Sequence, residues 1–255
     1  MKMESCPLCG NGVWNVLYKI SEWDIKQCEG CDFARIHPFP SVARRQEFYS
    51  EDNIQDRKIR KKRNAAGRAA ALIRHILRKL SGRKKGTIFL TKLTAYLYKG
   101  DRLLDIGCGS GAILREVNRD FQCVGVEISD YFASEASKLD VDIYIGDFCA
   151  IDFKDARFNG ITMVSLLEHL YDPVEALEKC YRLLEDDGVL LLKTVNHQGL
   201  NRRILKEQWS GYRPPDHLVY FGPENLRALL LRIGFRSVKM TAMPFNDSFY
   251  CDAWK

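Results

Sequence analysis

Leu103-Leu104-Asp105-Ile106-Gly107-Cys108-Gly109-Ser110-Gly111-Ala112-Ile113-Leu114 joins three kinds of local pattern in twelve residues. A short apolar run closes on an acid, a glycine-rich turn follows, and Ile113, Leu114 and Val117 then recur at helical spacing. That pattern is a buried strand, a tight loop and the start of a helix, the opening of a nucleotide-binding α/β unit. The glycines permit backbone angles closed to other residues and let N–H groups approach a ligand that a Cβ would hold away. Phe121-Gln122-Cys123-Val124-Gly125-Val126-Glu127 is a second apolar strand ending in an acid, twenty residues after Gly107. A carboxylate at that position can accept both hydroxyls of a bound ribose. Gly107, Gly109 and Ala112 also satisfy a loose dinucleotide fingerprint, so the glycines alone leave NAD open.

Further strands and helices alternate downstream. Residues 131–139 read as a helix, 141–145 as a third strand closed by Gly146-Asp147-Phe148, and 161–165 as a fourth running into Leu166-Leu167-Glu168-His169-Leu170. Pro173 suits the first turn of a helix over 173–184, and Asp187-Gly188 turns into a fifth strand over 189–194. A helix over 222–233 and a final pair of strands over 236–240 and 248–254 complete the chain, while 87–99 forms a helix ahead of the first strand. The alternation predicts a parallel, doubly wound sheet. Ligands in such sheets sit at the carboxyl ends of the strands, where Asp105, Glu127, Asp147 and Glu168-His169 all fall.

The N-terminal segment carries a different chemistry. Cys6-Pro7-Leu8-Cys9 and Cys28-Glu29-Gly30-Cys31 are two C-x2-C knuckles, at the spacing of a zinc ribbon. Each pair turns two thiolates toward one ion, and the two pairs complete a tetrahedron with no open position, so the zinc is expected to be structural. Residues 13–18 and Ile20 read as a strand between the knuckles, and Asp32 to Pro40 as another stretch of strand stopped by two prolines. So small a unit depends on metal for much of its stability. Cys108, Cys123, Cys149, Cys180 and Cys251 are read as buried small hydrophobes.

Two compositional features bound the rest. Hydrophobic residues make up 46% of 255, ordinary for a globular enzyme, and the net charge is +6. No apolar run approaches the roughly 18 residues that span a bilayer, and the first residues show no signal-peptide core, so a cytosolic protein is expected. Between Arg57 and Lys85 stand thirteen Lys or Arg and no acid, with Leu72, Ile73, Ile76, Leu77 and Leu80 on one helical face. This basic amphipathic helix has three readings: a solvated helix packed on the main domain, a contact with anionic lipid or a phosphate-bearing acceptor, or a nucleic-acid grip. Aromatic residues for base stacking are missing from it, which disfavours the last.

The run Leu-Asp-Ile-Gly-Cys-Gly-Ser-Gly, with Asp105 two residues before the first glycine and the extra Gly111, closely resembles the first motif of class I S-adenosylmethionine (SAM) dependent methyltransferases. The resemblance implies that Asp105, Gly107, Cys108, Gly109 and Gly111 hold the methionine part of SAM and that Glu127 holds the ribose. It further implies that Asp147 bonds the adenine, that Phe148 flanks the ring, and that Leu166 borders the cofactor. Phe158-Asn159 stands where the family commonly shows Phe-Asp, at the start of a strand, where little effect is expected. Cys28 to Asp52 and the segment Arg213-Pro214-Pro215-Asp216-His217-Leu218 with its following aromatics resemble a bacterial branch that carries an N-terminal zinc ribbon, and Tyr49 becomes a candidate for closing the cofactor site.

The implied fold is α/β: a doubly wound, Rossmann-like, seven-stranded methyltransferase sheet with a small zinc ribbon. The expected division is a ribbon over 1–40, a helical basic cap over 41–99 and a SAM-binding domain over 100–255. The implied reaction is methyl transfer from SAM to a small-molecule, saccharide or lipid-linked acceptor. His169, beside the expected methyl position, and His217, in the acceptor-side loop, are the candidate bases. Two alternatives stay open. One is an RNA or DNA methyltransferase, against which the fourth strand ends in Leu-Leu-Glu-His rather than a base-amine Pro-Pro-aromatic run. The other is a catalytically silent SAM-binding scaffold.

Overall fold

The computed structural model describes residues 5–41, 43–44, 47, 87–242 and 246–255. The expected basic helix over 57–85 and Tyr49 lie outside the described residues.

Strand β4 (Arg102–Ile106) buries Leu103, Leu104 and Ile106 on both of its faces, as a central strand of a covered sheet must. On one side it pairs in parallel with β5 (Gln122–Glu127), which in turn pairs with β6 (Asp142–Ile145). On the other it pairs in parallel with β7 (Phe158–Val164), followed by β8 (Leu184–Val195). The chain therefore reverses its direction of travel across the sheet at β4, and a crevice opens beyond the carboxyl ends of β4 and its neighbours.

The five strands of the alternating region pair in parallel, and the final pair does not. Strands β10 (Ser237–Ala242) and β11 (Ser248–Trp254) form a hairpin, and β11 inserts antiparallel beside β8. The connection between them is too short for the helical crossover that a parallel pair requires. The seven-stranded sheet is thus mixed, in the order β10-β11-β8-β7-β4-β5-β6.

Helices cover both faces. Helix α1 (Thr87–Tyr96) sets Phe89 and Leu93 against Leu103 and Leu191 on one face, together with the short α2 (Leu114–Val117) and α3 (Asp130–Ala136). Across the sheet, α4 (Pro173–Leu183) packs Ala176, Leu177 and Cys180 on Leu104, Ile161 and Met163. Its start follows from sequence: Asp172 accepts a hydrogen bond from the Glu175 N–H at 2.9 Å, and Pro173 occupies the first turn. A further short helix, α5 (Leu200–Leu205), leads away from β8. Helix α6 (Pro223–Ile233) ends at Gly234, whose φ of 124° stops it.

The N-terminal strands β1 (Trp14–Ile20), β2 (Trp23–Cys28) and β3 (Ala34–His37) form an antiparallel sheet whose fourth member, β9 (Val219–Tyr220), comes from the far end of the chain. The Ile36 N–H donates to the Leu218 carbonyl at 2.9 Å, and the Phe33 and Phe221 rings lie 4.9 Å apart. Asn225 of α6 donates to the Cys31 carbonyl at 3.1 Å, and Arg232 reaches the Pro7 carbonyl at 3.2 Å and the Leu8 carbonyl. The small unit therefore shares one hydrophobic core with the main sheet. Among the described residues, no helix is long and apolar enough to cross a membrane.

Candidate active site

The loop after β4 holds Gly107, Gly109 and Gly111 at φ of 71°, 56° and 75°. A Cβ on Gly107 would stand 3.1 Å from the Leu166 side chain, so the loop and the end of β7 approach as closely as backbone allows. Gly111 serves packing: its Cβ would fall 2.5 Å from Leu139 Cδ1. Gly111→Ala combines that clash with a left-handed φ and is expected to cost about 2 kcal/mol in denaturant unfolding.

Glu127 closes β5 under this loop. The Gly109 N–H donates to one of its carboxylate oxygens at 2.8 Å and the Ser129 N–H to the other at 2.9 Å. A carboxylate has about four acceptor positions, so both oxygens retain capacity for incoming hydroxyls while their orientation is set. Asp105 lies beneath, buried, with Thr162 Oγ1 donating to it at 2.6 Å. Burial pushes its carboxyl up to about 7, against the pull of the Thr162 hydrogen bond and with help from the Glu127 charge. Between the ordinary carboxylate pKa and about 7 the folded chain holds a proton that the unfolded chain releases. Stability from this group is therefore full in acid and is lost as the pH rises toward 7. Asp105→Asn never ionises and should flatten that slope, measured by unfolding at about pH 4.5 and about pH 7.5.

Beyond β6, Asp147 accepts the Cys149 N–H at 3.0 Å and Phe148 is buried. Lys179 of α4 gathers the carbonyls of Phe148, Cys149 and Ile151 at 2.6, 3.1 and 2.5 Å, and its ammonium sits 4.9 Å from the Phe148 ring centroid. Sequence reading gives no sign of this clamp beyond a lysine in an amphipathic helix.

At the end of β7, Ser165 takes a left-handed φ of 54° and turns the chain into a single 3-10 turn, Leu167–His169. His169 Nδ1 lies 2.8 Å from the Asp216 carbonyl oxygen and 3.0 Å from its carboxylate. Burial pulls the imidazole pKa down, but the Asp216 and Glu168 carboxylates carry it above the ordinary histidine value. The His217 ring stands edge-on to it, 4.8 Å between centroids. Burial, with the His169 and Arg213 charges, drives His217 down to about 3, and its Nδ1 lies 2.7 Å from the Gly211 carbonyl oxygen. Glu168 is buried too and accepts Thr194 Oγ1 at 2.7 Å. The Leu218 N–H donates to the Glu168 carbonyl at 2.8 Å, which ties the two segments together.

These strand ends enclose one cavity of about 890 Å³. Gly107, Gly109, Glu127, Asp147, Phe148 and Leu166 line it together, and His169 joins them with Tyr171, Arg213 and Asp216. Asp105, Cys108, Gly111 and His217 do not line it; they stand behind the residues that do. Arg213 and Asp216 come from the segment expected on the acceptor side, whereas nothing in the sequence singles out Tyr171.

The four N-terminal cysteines converge, their sulfurs all within 4.8 Å of one another. Cys6 and Cys31 sulfurs are 3.6 Å apart and those of Cys9 and Cys28 3.5 Å. A tetrahedral zinc with bonds near 2.3 Å asks for about 3.8 Å between sulfurs. Each knuckle is turned by backbone bonds, Gly10 N–H to the Cys6 carbonyl at 2.8 Å and Asp32 N–H to that of Cys28 at 3.0 Å. Among the other five, Cys108, Cys123, Cys180 and Cys251 are buried and Cys149 is half-buried.

Residues 66–240 match the model of a family described as a methyltransferase domain. The chain belongs to that family. A ubiquinone biosynthesis O-methyltransferase of Dinoroseobacter shibae is 27% identical over 164 residues, which cover 58% of this chain and 65% of that relative's length. A SAM-dependent methyltransferase from Archaeoglobus fulgidus superposes with a TM-score of 0.54 at 20% identity, covering 71% of this chain and 99% of that one. One from Mesorhizobium loti gives 0.54 at 14% identity, covering 65% and 96%. These likenesses place the mixed seven-stranded sheet among methyltransferase domains of Rossmann-like fold.

Proposed function

We propose that the protein is a SAM-dependent methyltransferase that acts on a small-molecule, saccharide or lipid-linked acceptor. We assign it a structural zinc ribbon over 1–40, a basic cap over 41–99 and a SAM-binding domain over 100–255. The observation that carries this is the cavity that gathers the glycine loop, Glu127, Asp147, Phe148 and His169. Glu127, oriented by two N–H groups, receives the ribose hydroxyls. Asp147 and Phe148 take the adenine, Leu166 borders the cofactor, and the loop over Asp105 takes the methionine part, where glycines leave room for it. When bound, SAM supplies an electrophilic methyl on a sulfonium. The residues of the chain orient the acceptor and exclude water, which is where positioning lowers a barrier by roughly 7–11 kcal/mol.

His169 is the general base, holding its proton-accepting capacity beside the acceptor, typically worth about 10²–10⁴-fold. His217, behind it, supports the ring. A small-molecule acceptor is supported by the O-methyltransferase named for ubiquinone biosynthesis among the relatives. The sulfur separations support zinc at Cys6, Cys9, Cys28 and Cys31. The thirteen basic residues of 57–85 suit a cytosolic enzyme that touches an anionic membrane surface.

The test uses SAM labelled on its methyl group, incubated with the protein and with extract separated into RNA, lipid, polysaccharide and small-molecule fractions. Label in any of the last three supports the proposal and names the acceptor class. Label in RNA replaces it with nucleic-acid methylation, and no label despite SAM binding points to a silent SAM-binding protein.

A further inference from the structure

We infer that Asp216 is a positioning residue for His169: its main-chain and side-chain oxygens hold the imidazole Nδ1 while Arg213 holds its other carboxylate oxygen, making an oriented Asp–His pair at the cavity wall. The inference rests on His169 as the base of the reaction proposed above.

Two oxygens of Asp216 lie within hydrogen-bond distance of Nδ1, at 2.8 and 3.0 Å. Neither can donate when the carboxylate is ionised, so Nδ1 carries the hydrogen and Nε2 is the basic nitrogen. Arg213 donates to Asp216 Oδ2, which leaves Oδ1 turned to the histidine. The carboxylate is not required to make the turn it sits in. The N–H groups of Asp216 and His217 already donate to the Arg213 carbonyl at 2.8 and 3.0 Å. Asp216 is buried and paired at the lining of the cavity, a position that a turn residue alone has no reason to occupy.

Charged and titratable groups face His169 from three segments among the described residues. Asp216 and Arg213 come from the acceptor-side turn, Glu168 from its own turn, and His217 from the next position after Asp216. Glu168 is engaged by Thr194 and adds to the upward pull on the ring, His217 stays neutral, and Asp216 is the carboxylate in direct contact with Nδ1. In the reaction, an acceptor lone pair bonds the methyl carbon as the carbon–sulfur pair returns to sulfur. The acceptor proton passes to Nε2. Asp216 stabilises the imidazolium without taking the proton.

The test is a pH titration of full-length protein carrying carbon-13 at the histidine ring, followed by NMR. His169→Gln removes one resonance and so assigns it. Asp216→Asn keeps an acceptor oxygen but removes the charge, and should lower the His169 midpoint by roughly 1–3 pH units. Arg213→Gln removes the opposing cation and should raise it. Arg213 is 57% exposed, so this second variant keeps the test open if the first does not fold. A role confined to the turn moves neither midpoint. Unchanged midpoints in the folded variants overturn the pair. Failure of the base assignment is read separately: methyl transfer that survives His169→Gln overturns the base itself, whatever the midpoints do.

Discussion

Glu127→Ala weakens SAM binding by about 100-fold or more, measured by calorimetry, while the SAM-free protein melts within a few degrees of the parent. The carboxylate is already engaged in the fold. It accepts the Gly109 and Ser129 N–H groups, which fixes both oxygens at the floor of the cavity. Two hydroxyls reaching those oxygens would make charge-assisted bonds, each worth about 1.5–3 kcal/mol. The loss of both is a change of at least a hundredfold in affinity. The fold survives because the two N–H groups lie at the edge of a cavity that water can enter, and the strand itself is held by β4 and β6. Glu127→Gln keeps an acceptor without the charge and should fall between. An affinity unchanged in Glu127→Ala would refute the ribose assignment.

Cys6→Ser is expected to take bound zinc from about one per chain to a small fraction of that, and to lower the melting midpoint by roughly 6–12 °C, the equivalent of about 3 kcal/mol for a chain of this size. One missing thiolate leaves a three-ligand site, and the Cys6–Cys31 sulfur contact of 3.6 Å is lost with it. The damage should travel. Phe33 rests on Phe221 and β3 shares its sheet with β9, so amide exchange over 217–221 should rise in the variant. Cys149→Ser, outside the cluster, is the control and should retain zinc. Full zinc content in Cys6→Ser would remove the ribbon from the account.

Much of the fold was legible because its signals are local. The run from Leu103 to Leu114, with Glu127 at the end of the next strand, announces a strand–loop–helix unit, and the structure builds β4 and β5 there. The helix over 173–184 is readable from Pro173 and the one over 222–233 follows from the family resemblance, and both form, as Pro173–Leu183 and Pro223–Ile233. Strand β2 was missed although Trp23 and Ile25 alternate on its buried side, a pattern that the neighbouring knuckle obscures. Strand β9 is two residues long and carries no periodicity at all.

The candidate site divides in the same way. Backbone approach and strand-end acids are written in residue order, so Asp105, the loop glycines, Glu127 and Asp147 could be named from sequence. Pairings across the chain could not. His169 meets Asp216 across 47 positions and Lys179 reaches carbonyls 28 to 31 positions away, because separate loops fold to one cavity wall. The α/β class, the glycine loop and the cysteine knuckles each depend on spacing along a few residues, so they are legible without a structure. The antiparallel run of the last strands, the loan of Val219–Tyr220 to the N-terminal sheet and the Asp216 oxygens at His169 Nδ1 are set by the folded chain. Those depend on which distant surfaces bury each other, and no local pattern encodes that choice.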